Sequence, residues 1–174
     1  MQKRYPHQLS YGANNPVIAL NEKEAAKIFS QDTRSDIGSE AEKMKFANSI
    51  NGLVVKFIRV DYDEKNAWDI LVMERIYPYD YRSFEVEKRE LWFDVFADEI
   101  KQLHHAGFVH RDIQRPSNIT GDRFDNVLLT SIGLRLIDVG ISAIKKNVGE
   151  KLFAKHVETE LQEMEIFRSF FIGR

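Results

Sequence analysis

The sequence predicts an α+β fold in which a strand-rich first part is followed by a mostly helical second part. Short β-rich segments dominate up to residue 76, whereas long amphipathic patterns with helical spacing dominate from residue 77. The connector Tyr77-Pro78-Tyr79-Asp80 separates the two patterns. We therefore divide the 174 residues into 1–76 and 77–174, which at this length are expected to form one domain together.

The first part is predicted to contain four strands and one helix. Residues 17–20 and 25–29 flank a polar turn and read as a hairpin. Residues 39–50 read as a helix with Ala41 and Met44 on its inner side. Strands are expected again at 52–60 and 68–74, on either side of a charged turn at 61–66.

The second part is predicted to contain two long helices and a hairpin between them. In the helix at 87–106, four apolar residues recur at helical spacing: Trp92, Phe96, Ile100 and Leu103. Residues 126–130 and 134–137 flank a turn centred on Ser131 and Ile132, which would pair Val127 with Leu136. The last helix, at 151–171, carries a predicted core stripe of Val157, Leu161, Met164, Phe167 and Phe171.

Composition excludes several classes of function. The chain has no cysteine, which rules out disulfides, thiolate nucleophiles and cysteine-ligated zinc. Its net charge of −2 gives no general attraction to nucleic acid or to an acidic membrane, so neither is an expected partner. No signal peptide or transmembrane segment is expected. We expect a cytoplasmic protein, or one delivered into the cytoplasm of another cell.

Two acidic motifs in the second part suggest phosphoryl-transfer chemistry. His110-Arg111-Asp112 follows a predicted helix, and Asp138-Val139-Gly140 ends a predicted strand. One carboxylate so placed can orient or deprotonate an acceptor hydroxyl, while the other holds the metal that carries nucleotide phosphates. With the preceding residues His105-Ala106-Gly107-Phe108-Val109, this pattern resembles the catalytic core of the protein-kinase-like superfamily.

The resemblance implies a bilobal fold and a role for each matching residue. Asp112 would be the catalytic carboxylate and Asp138 a ligand of Mg²⁺ or Mn²⁺. Lys27, within Ala25-Ala26-Lys27-Ile28, would neutralise the phosphates of ATP, and Arg115 would replace the lysine that steadies the γ-phosphate. Nucleotide-binding residues would further include Gly12, the one glycine kept from a glycine-rich loop, together with Met73 and Glu74.

Two assignments stay open at this level. The partner of Lys27 is Glu40, followed by Met44 as an apolar neighbour, or Glu42, followed by Phe46. The amide ligand of the metal is Asn118, which the Arg115-Pro116-Ser117-Asn118 match favours, or Asn126, which the predicted hairpin would bring beside Asp138.

The resemblance covers residues 9–142 but includes neither an activation loop nor a substrate-binding platform. In this respect the chain is similar to minimal kinases, such as the RIO kinases and compact bacterial effector kinases. The resemblance implies a minimal Ser/Thr protein kinase that uses ATP and Mg²⁺ and acts on a protein substrate or with a regulatory protein partner. The alternatives are a pseudokinase that binds nucleotide or serves as a scaffold, and a small-molecule kinase.

Overall fold

The computed structural model describes residues 5–10, 15–30, 35–115 and 123–173, and it is a mixed α+β structure. Its largest sheet is antiparallel, with the strand order β1-β2-β3-β5-β4. The five strands are β1 (His7–Ser10), β2 (Val17–Ala19), β3 (Glu24–Phe29), β4 (Phe57–Asp63) and β5 (Trp68–Glu74). The hairpin predicted at 17–29 is therefore confirmed, and β1 was not anticipated.

Asparagine and aspartate side chains close the turns of this sheet. The Asn21 carboxamide oxygen accepts hydrogen bonds from the backbone N–H groups of Lys23 and Glu24, between β2 and β3. Asp63 does the same between β4 and β5. Because β4 pairs with β5 as far as Asp63, the prediction that all of 61–66 is a turn is wrong for its first three residues.

The helix α1 (Ile37–Asn48) packs against the sheet. The Asp36 carboxylate caps its N-terminus by accepting hydrogen bonds from the N–H groups of Gly38 and Ser39. Its buried residues include Ala41 and Met44, as predicted, and also a charged side chain, Glu40. A buried carboxylate needs an ionic partner, and the candidate site supplies one.

In the second part, a short 3₁₀ helix (Tyr81–Ser83) precedes the long helix α2 (Val86–Ala106), which ends at Gly107 in the left-handed conformation with φ 96°. Three of its four predicted core residues are buried, namely Phe96, Ile100 and Leu103, whereas Phe93 is buried more deeply than Trp92. The remaining elements are β6 (Phe108–Val109), β7 (Val127–Thr130), β8 (Gly133–Leu136), β9 (Ala143–Ile144), α3 (Lys145–Val148) and α4 (Glu150–Ile172). The predicted pairing of Val127 with Leu136 in the β7–β8 hairpin is confirmed.

The helix α4 packs an aromatic face onto α2. Phe167 is buried against four other phenylalanine rings, with centroid distances of 5.2–6.3 Å: Phe93, Phe96, Phe124 and Phe171. Met164 and Phe171 are buried as predicted. Leu161 is 41% exposed, so its place in the predicted core stripe is wrong. At this turn of α4 the buried residue is Glu160 rather than Leu161.

Backbone hydrogen bonds join the two parts of the chain. The N–H of Val55 donates to the carbonyl of Leu136 at 2.8 Å, and the N–H of Leu136 donates to the carbonyl of Leu53 at 2.8 Å. Residues 52–56, predicted as strand, thus contact β8 as an isolated bridge rather than belonging to the five-stranded sheet. Among the described residues, no helix combines the length and apolar character that crossing a membrane requires.

Candidate active site

A cavity of about 540 Å³ lies between the five-stranded sheet, α1 and the β7–β8 hairpin. It is large enough for a small-molecule ligand, since such sites commonly measure about 300–1,000 Å³. Seven residues proposed from the sequence line it: Lys27, Glu40, Met73, Glu74, Arg115, Asn126 and Asp138. Gly12 and Asn118 lie outside the described residues.

Lys27 forms the centre of an ionic cluster in this cavity. Its Nζ donates to Glu40 Oε1 at 2.8 Å and to Asp138 Oδ1 at 2.9 Å. Burial acts to lower the pKa of Lys27, but the two carboxylates outweigh it and hold the pKa above its usual value. The side chain is therefore an ammonium at neutral pH. Glu42 instead lies near Lys146, 3.2 Å away at the surface, so the structure selects Glu40 as the lysine's partner.

Asp138 reaches the cavity from a strained backbone position. Its φ is 56°, in the left-handed region, where aspartate is tolerated better than most residues. Burial acts to raise the pKa of Asp138, but the Lys27 ammonium and the N–H of Gly140 hold it below the usual range. The carboxylate is thus ionised at neutral pH, and half of its side-chain surface stays exposed to the cavity.

Asn126 connects the segment of Asp112 to the segment of Asp138. Its Nδ2 donates to Asp112 Oδ2 at 2.9 Å and to the Asp112 carbonyl at 3.0 Å. Its own carbonyl accepts the N–H of Ile137, the residue before Asp138. Burial raises the pKa of the Asp112 carboxyl. The hairpin that was predicted to bring Asn126 beside Asp138 therefore also brings it into contact with Asp112.

His110, two residues before Asp112 in the sequence, contacts the segment that carries Asp138. Its imidazole is fully buried, and Nε2 lies 2.9 Å from the Ile137 carbonyl. Its backbone carbonyl accepts the Ser142 hydroxyl at 3.0 Å. His110 thus connects the Asp112 segment to residues on both sides of Asp138.

Two glutamates of α4 hold the loop around Asp112, and the sequence analysis missed both. Glu160 is 1% exposed and contacts His104 Nε2 at 2.9 Å, while its second oxygen accepts the N–H of Arg111. Arg111 has a φ of 72°, so this contact stabilises a strained backbone. Glu160 lies four residues before Met164 and seven before Phe167, so the helical spacing places it on the same buried face. A glutamate on a buried helix face was the signal in the sequence that could have identified it.

Glu163, one turn further along α4, acts on the other side of Asp112. Burial raises the pKa of Glu163 to about 7, although the N–H groups of Gln114 and Ile113 donate to it and favour the charged form. Its Oε2 is buried and has no hydrogen-bond partner among the described residues. Together, Glu160 and Glu163 fix backbone groups on both sides of Asp112.

Two other predicted site residues have strong protein partners. Arg115 donates from Nε to Asp125 Oδ1 at 2.7 Å and forms a second contact with the other carboxylate oxygen. Glu74 accepts the N–H of Lys56 at 2.8 Å and pairs with the buried Arg135 guanidinium. Met73 contributes an apolar surface to the cavity wall. Glu74 is thus part of the framework of the cavity as well as its lining.

Two oxygen-bearing side chains of the cavity are candidates for holding Mg²⁺. Magnesium is usually bound by one or two carboxylates together with substrate phosphates, rather than by a complete protein cage. Asp138 supplies an ionised carboxylate and Asn126 an amide at the same cavity. No group of three or more histidine, aspartate or glutamate side chains suited to a metal occurs in the described part of the chain.

No protein-family model matches the sequence, and no curated protein is significantly similar to it.

Proposed function

We propose that this chain is an ATP- and Mg²⁺-dependent phosphotransferase of the protein-kinase-like superfamily, acting on serine or threonine hydroxyls of a protein. In this proposal the five-stranded sheet with α1 forms the first lobe, and the elements after the Tyr77–Asp80 connector form a short second lobe. The observation that carries the proposal is the buried Lys27 ammonium held between Glu40 and Asp138 in a ligand-sized cavity.

The ionic cluster suits the binding of a polyphosphate. Lys27 is charged and held in place by two carboxylates, so it can offer positive charge to phosphate oxygens without a large loss of side-chain entropy. Asp138 accepts hydrogen bonds from Lys27 and from the Gly140 N–H at Oδ1, so Oδ2 would be the oxygen that holds the cation. When bound, Mg²⁺ would neutralise the negative charge of the phosphates.

Asp112 would act on the acceptor hydroxyl. Asn126 occupies its Oδ2, so Oδ1 is the oxygen to which a serine or threonine hydroxyl would donate. Because the Glu160 and Glu163 contacts fix the backbone around Asp112, this oxygen is positioned before substrate arrives. Catalysis would then depend mainly on positioning and on charge neutralisation.

Incubation with γ-labelled ATP and Mg²⁺ or Mn²⁺ tests this proposal. We expect label on the chain or on a generic protein acceptor, and its loss in Lys27→Ala and Asp138→Ala. Lys23→Ala, which changes an exposed lysine near the same sheet, serves as the matched control and is expected to keep the activity. No label together with no thermal shift on adding ATP would contradict the proposal.

A pseudokinase is the second candidate, and the glycine-poor loop favours it. Asn15, where the family pattern has a glycine, is buried at the cavity and donates to the Ser35 hydroxyl at 3.0 Å. A side chain at this position restricts the approach of backbone N–H groups to phosphate. This candidate predicts an ATP-induced thermal shift without any turnover. Turnover that disappears in Asp112→Asn, with the thermal shift retained, would exclude it.

The acceptor distinguishes a protein kinase from a small-molecule kinase. We expect transfer to protein hydroxyls, and a parallel assay with aminoglycosides and sugars tests the other class. Efficient transfer to one of these small acceptors, with none to protein, would place the chain among small-molecule kinases.

A further inference from the structure

The edge strand β4 exposes an unusual apolar surface. β4 ends the strand order of the main sheet, and no strand among the described residues pairs with its outer side. Every second residue of β4 is exposed, and the exposed residues are apolar or aromatic: Ile58, Val60 and Tyr62. Val60 is 45% exposed and Tyr62 is 58% exposed. Apolar edge strands with free backbone groups are sites of strand addition.

The sequence of β4 is self-complementary about Val60. When a strand pairs with a second copy of itself in antiparallel register, residues equally far from the centre face each other. With Val60 at the centre, Arg59 faces Asp61 of the second copy, and this pair occurs twice across the two-fold axis. Pairs of opposite charge stabilise antiparallel strands. Ile58 lies in a bulge between Phe57 and Arg59 and takes no part in this regular pairing.

The positions of the side chains agree with this register. Arg59 and Asp61 lie on one face of β4, where Arg59 Nε donates to Asp61 Oδ2 at 2.8 Å and Nη1 donates to Glu24 Oε1 at 2.8 Å. Val60 and Tyr62 lie on the other face, since β4 pairs Val60 with the inward-facing Leu71. Self-pairing would therefore join an ionic cluster on one face and an apolar strip on the other.

We infer that β4 is a dimerisation edge that pairs antiparallel with β4 of a second copy, with Val60 on the two-fold axis, and so joins the two sheets into one ten-stranded sheet. A closed two-fold interface of this kind uses the same surface on both copies. The inference is independent of the proposed catalytic function, because no cavity residue belongs to β4.

The charged residues of β4 do not act against this pairing. Edge strands are commonly protected by like charges that would face each other in an aggregate. Here the opposite charges are arranged symmetrically about Val60, so that self-pairing in this one register brings Arg59 to Asp61 and Asp61 to Arg59. Pairing shifted by two residues would be centred on Asp61; it would place Arg59 opposite Asp63 and Val60 opposite Tyr62, but it would also put Asp61 opposite Asp61 of the second copy, which is a repulsive pair. The sequence thus favours a single register.

Charge reversal provides the first test, read by analytical ultracentrifugation over a range of concentrations. Arg59→Asp and Asp61→Arg should each place like charges opposite each other and raise the dimer dissociation constant about tenfold or more. The double variant Arg59→Asp/Asp61→Arg restores opposite pairs and should dimerise as the natural chain does. A mixture of the two single variants should form the heterodimer, since two acidic residues then face two basic ones. Each variant's thermal melt confirms that the monomer still folds.

Cysteine placement provides the second test, and the natural chain offers a cysteine-free background. In Val60→Cys the two Cβ atoms across the axis would be about 4.5–5.5 Å apart, close enough for a disulfide. In Tyr62→Cys the two copies of residue 62 would be four residues out of register, about 13 Å apart. We expect rapid oxidative cross-linking of Val60→Cys and little of Tyr62→Cys, although position 62 is the more exposed.

Two outcomes would overturn the inference. One is that the natural chain sediments as a monomer at all concentrations. The β4 edge would then be a site for an extended segment of another protein rather than for a second copy. The other is a dimer that survives both single charge reversals and cross-links at position 62 as fast as at position 60. The inference is supported if the two single variants dimerise with each other but not with themselves. Cross-linking at position 60 and not at position 62 would establish the register.

Discussion

At the scale of single residues, buried carboxylates determine how the candidate site responds to pH. Glu163 has a pKa of about 7 in the folded chain against an ordinary value of 4.5. Between these two values the folded chain keeps a proton that the unfolded chain releases, so the free energy of unfolding falls as the pH rises from about 4.5 to 7. Above pH 7 the folded chain contains a buried carboxylate with one unpaired oxygen.

Glu163→Gln should remove this pH dependence. The amide imitates the protonated carboxyl, and its oxygen can still accept the N–H groups of Ile113 and Gln114. We expect the variant to gain stability relative to the natural chain between pH 5 and pH 8, measured by urea unfolding at both values. Glu165→Gln, at an exposed position on the same helix, is the control and should follow the natural chain. Parallel curves for the natural chain and Glu163→Gln would contradict the assignment.

Glu40 should matter for stability where Glu42 does not. Glu40→Ala removes one of the two carboxylates that hold the buried Lys27 ammonium and should lower the free energy of unfolding by about 1.5–3 kcal/mol. Glu42→Ala removes only a surface contact with Lys146 and should change it by less than about 0.5 kcal/mol. Chemical denaturation at pH 7 measures both, and equal effects would place the lysine's partner elsewhere.

At the scale of elements, α4 supports the Asp112 loop through Glu160. Glu160→Ala leaves His104 and the N–H of Arg111 without their shared acceptor and should cost about 2–4 kcal/mol. Glu158→Ala, on the exposed side of the same helix, should be nearly neutral. If Glu160→Ala also lowers phosphotransfer while leaving the ATP-induced thermal shift unchanged, its effect lies in positioning Asp112 rather than in nucleotide binding.

Elements with strong local signals were predicted well, and those defined by distant contacts were not. The periodic stripes of α2 and α4 and the polar turns of the two hairpins identify these elements, because helix amphipathicity and turn chemistry are local properties. The two-residue strands β6 and β9 exist only because Phe108 and Val109 pair with Ile144 and Ala143, far along the chain. No local pattern could reveal this pairing.

The residues of the candidate site divide in the same way: those in local motifs can be recognised from the sequence, and those that act through distant contacts cannot. Lys27, Asp112 and Asp138 belong to short motifs that can be read directly from the sequence. Glu160 and Glu163 belong to no motif, and they act through backbone N–H groups that a sequence does not display. The choice of Glu40 over Glu42 required the orientation of α1, since the two residues are only half a turn apart on the helix.

At the scale of the whole molecule, the core is continuous between the two parts of the chain. Leu53 and Leu136 are fully buried and connected through the backbone, and one hydrophobic cluster includes residues from α1, α2, β8 and α4. We therefore expect residues 1–76 and 77–174 to be unfolded when made separately, and the intact chain to unfold in one transition. Near- and far-ultraviolet circular dichroism should give coincident midpoints, and two separate transitions would contradict this expectation.

The position of α4 at the end of this core has a consequence for synthesis. Phe93 and Phe96 of α2 are covered by Phe167, which the ribosome adds more than seventy residues later. At about 5–20 residues per second, the apolar face of α2 would wait roughly 4–15 seconds for its partner. The nascent chain would then expose Phe93 and Phe96 to its surroundings for that time, and transiently exposed apolar surface of this kind is what chaperones bind.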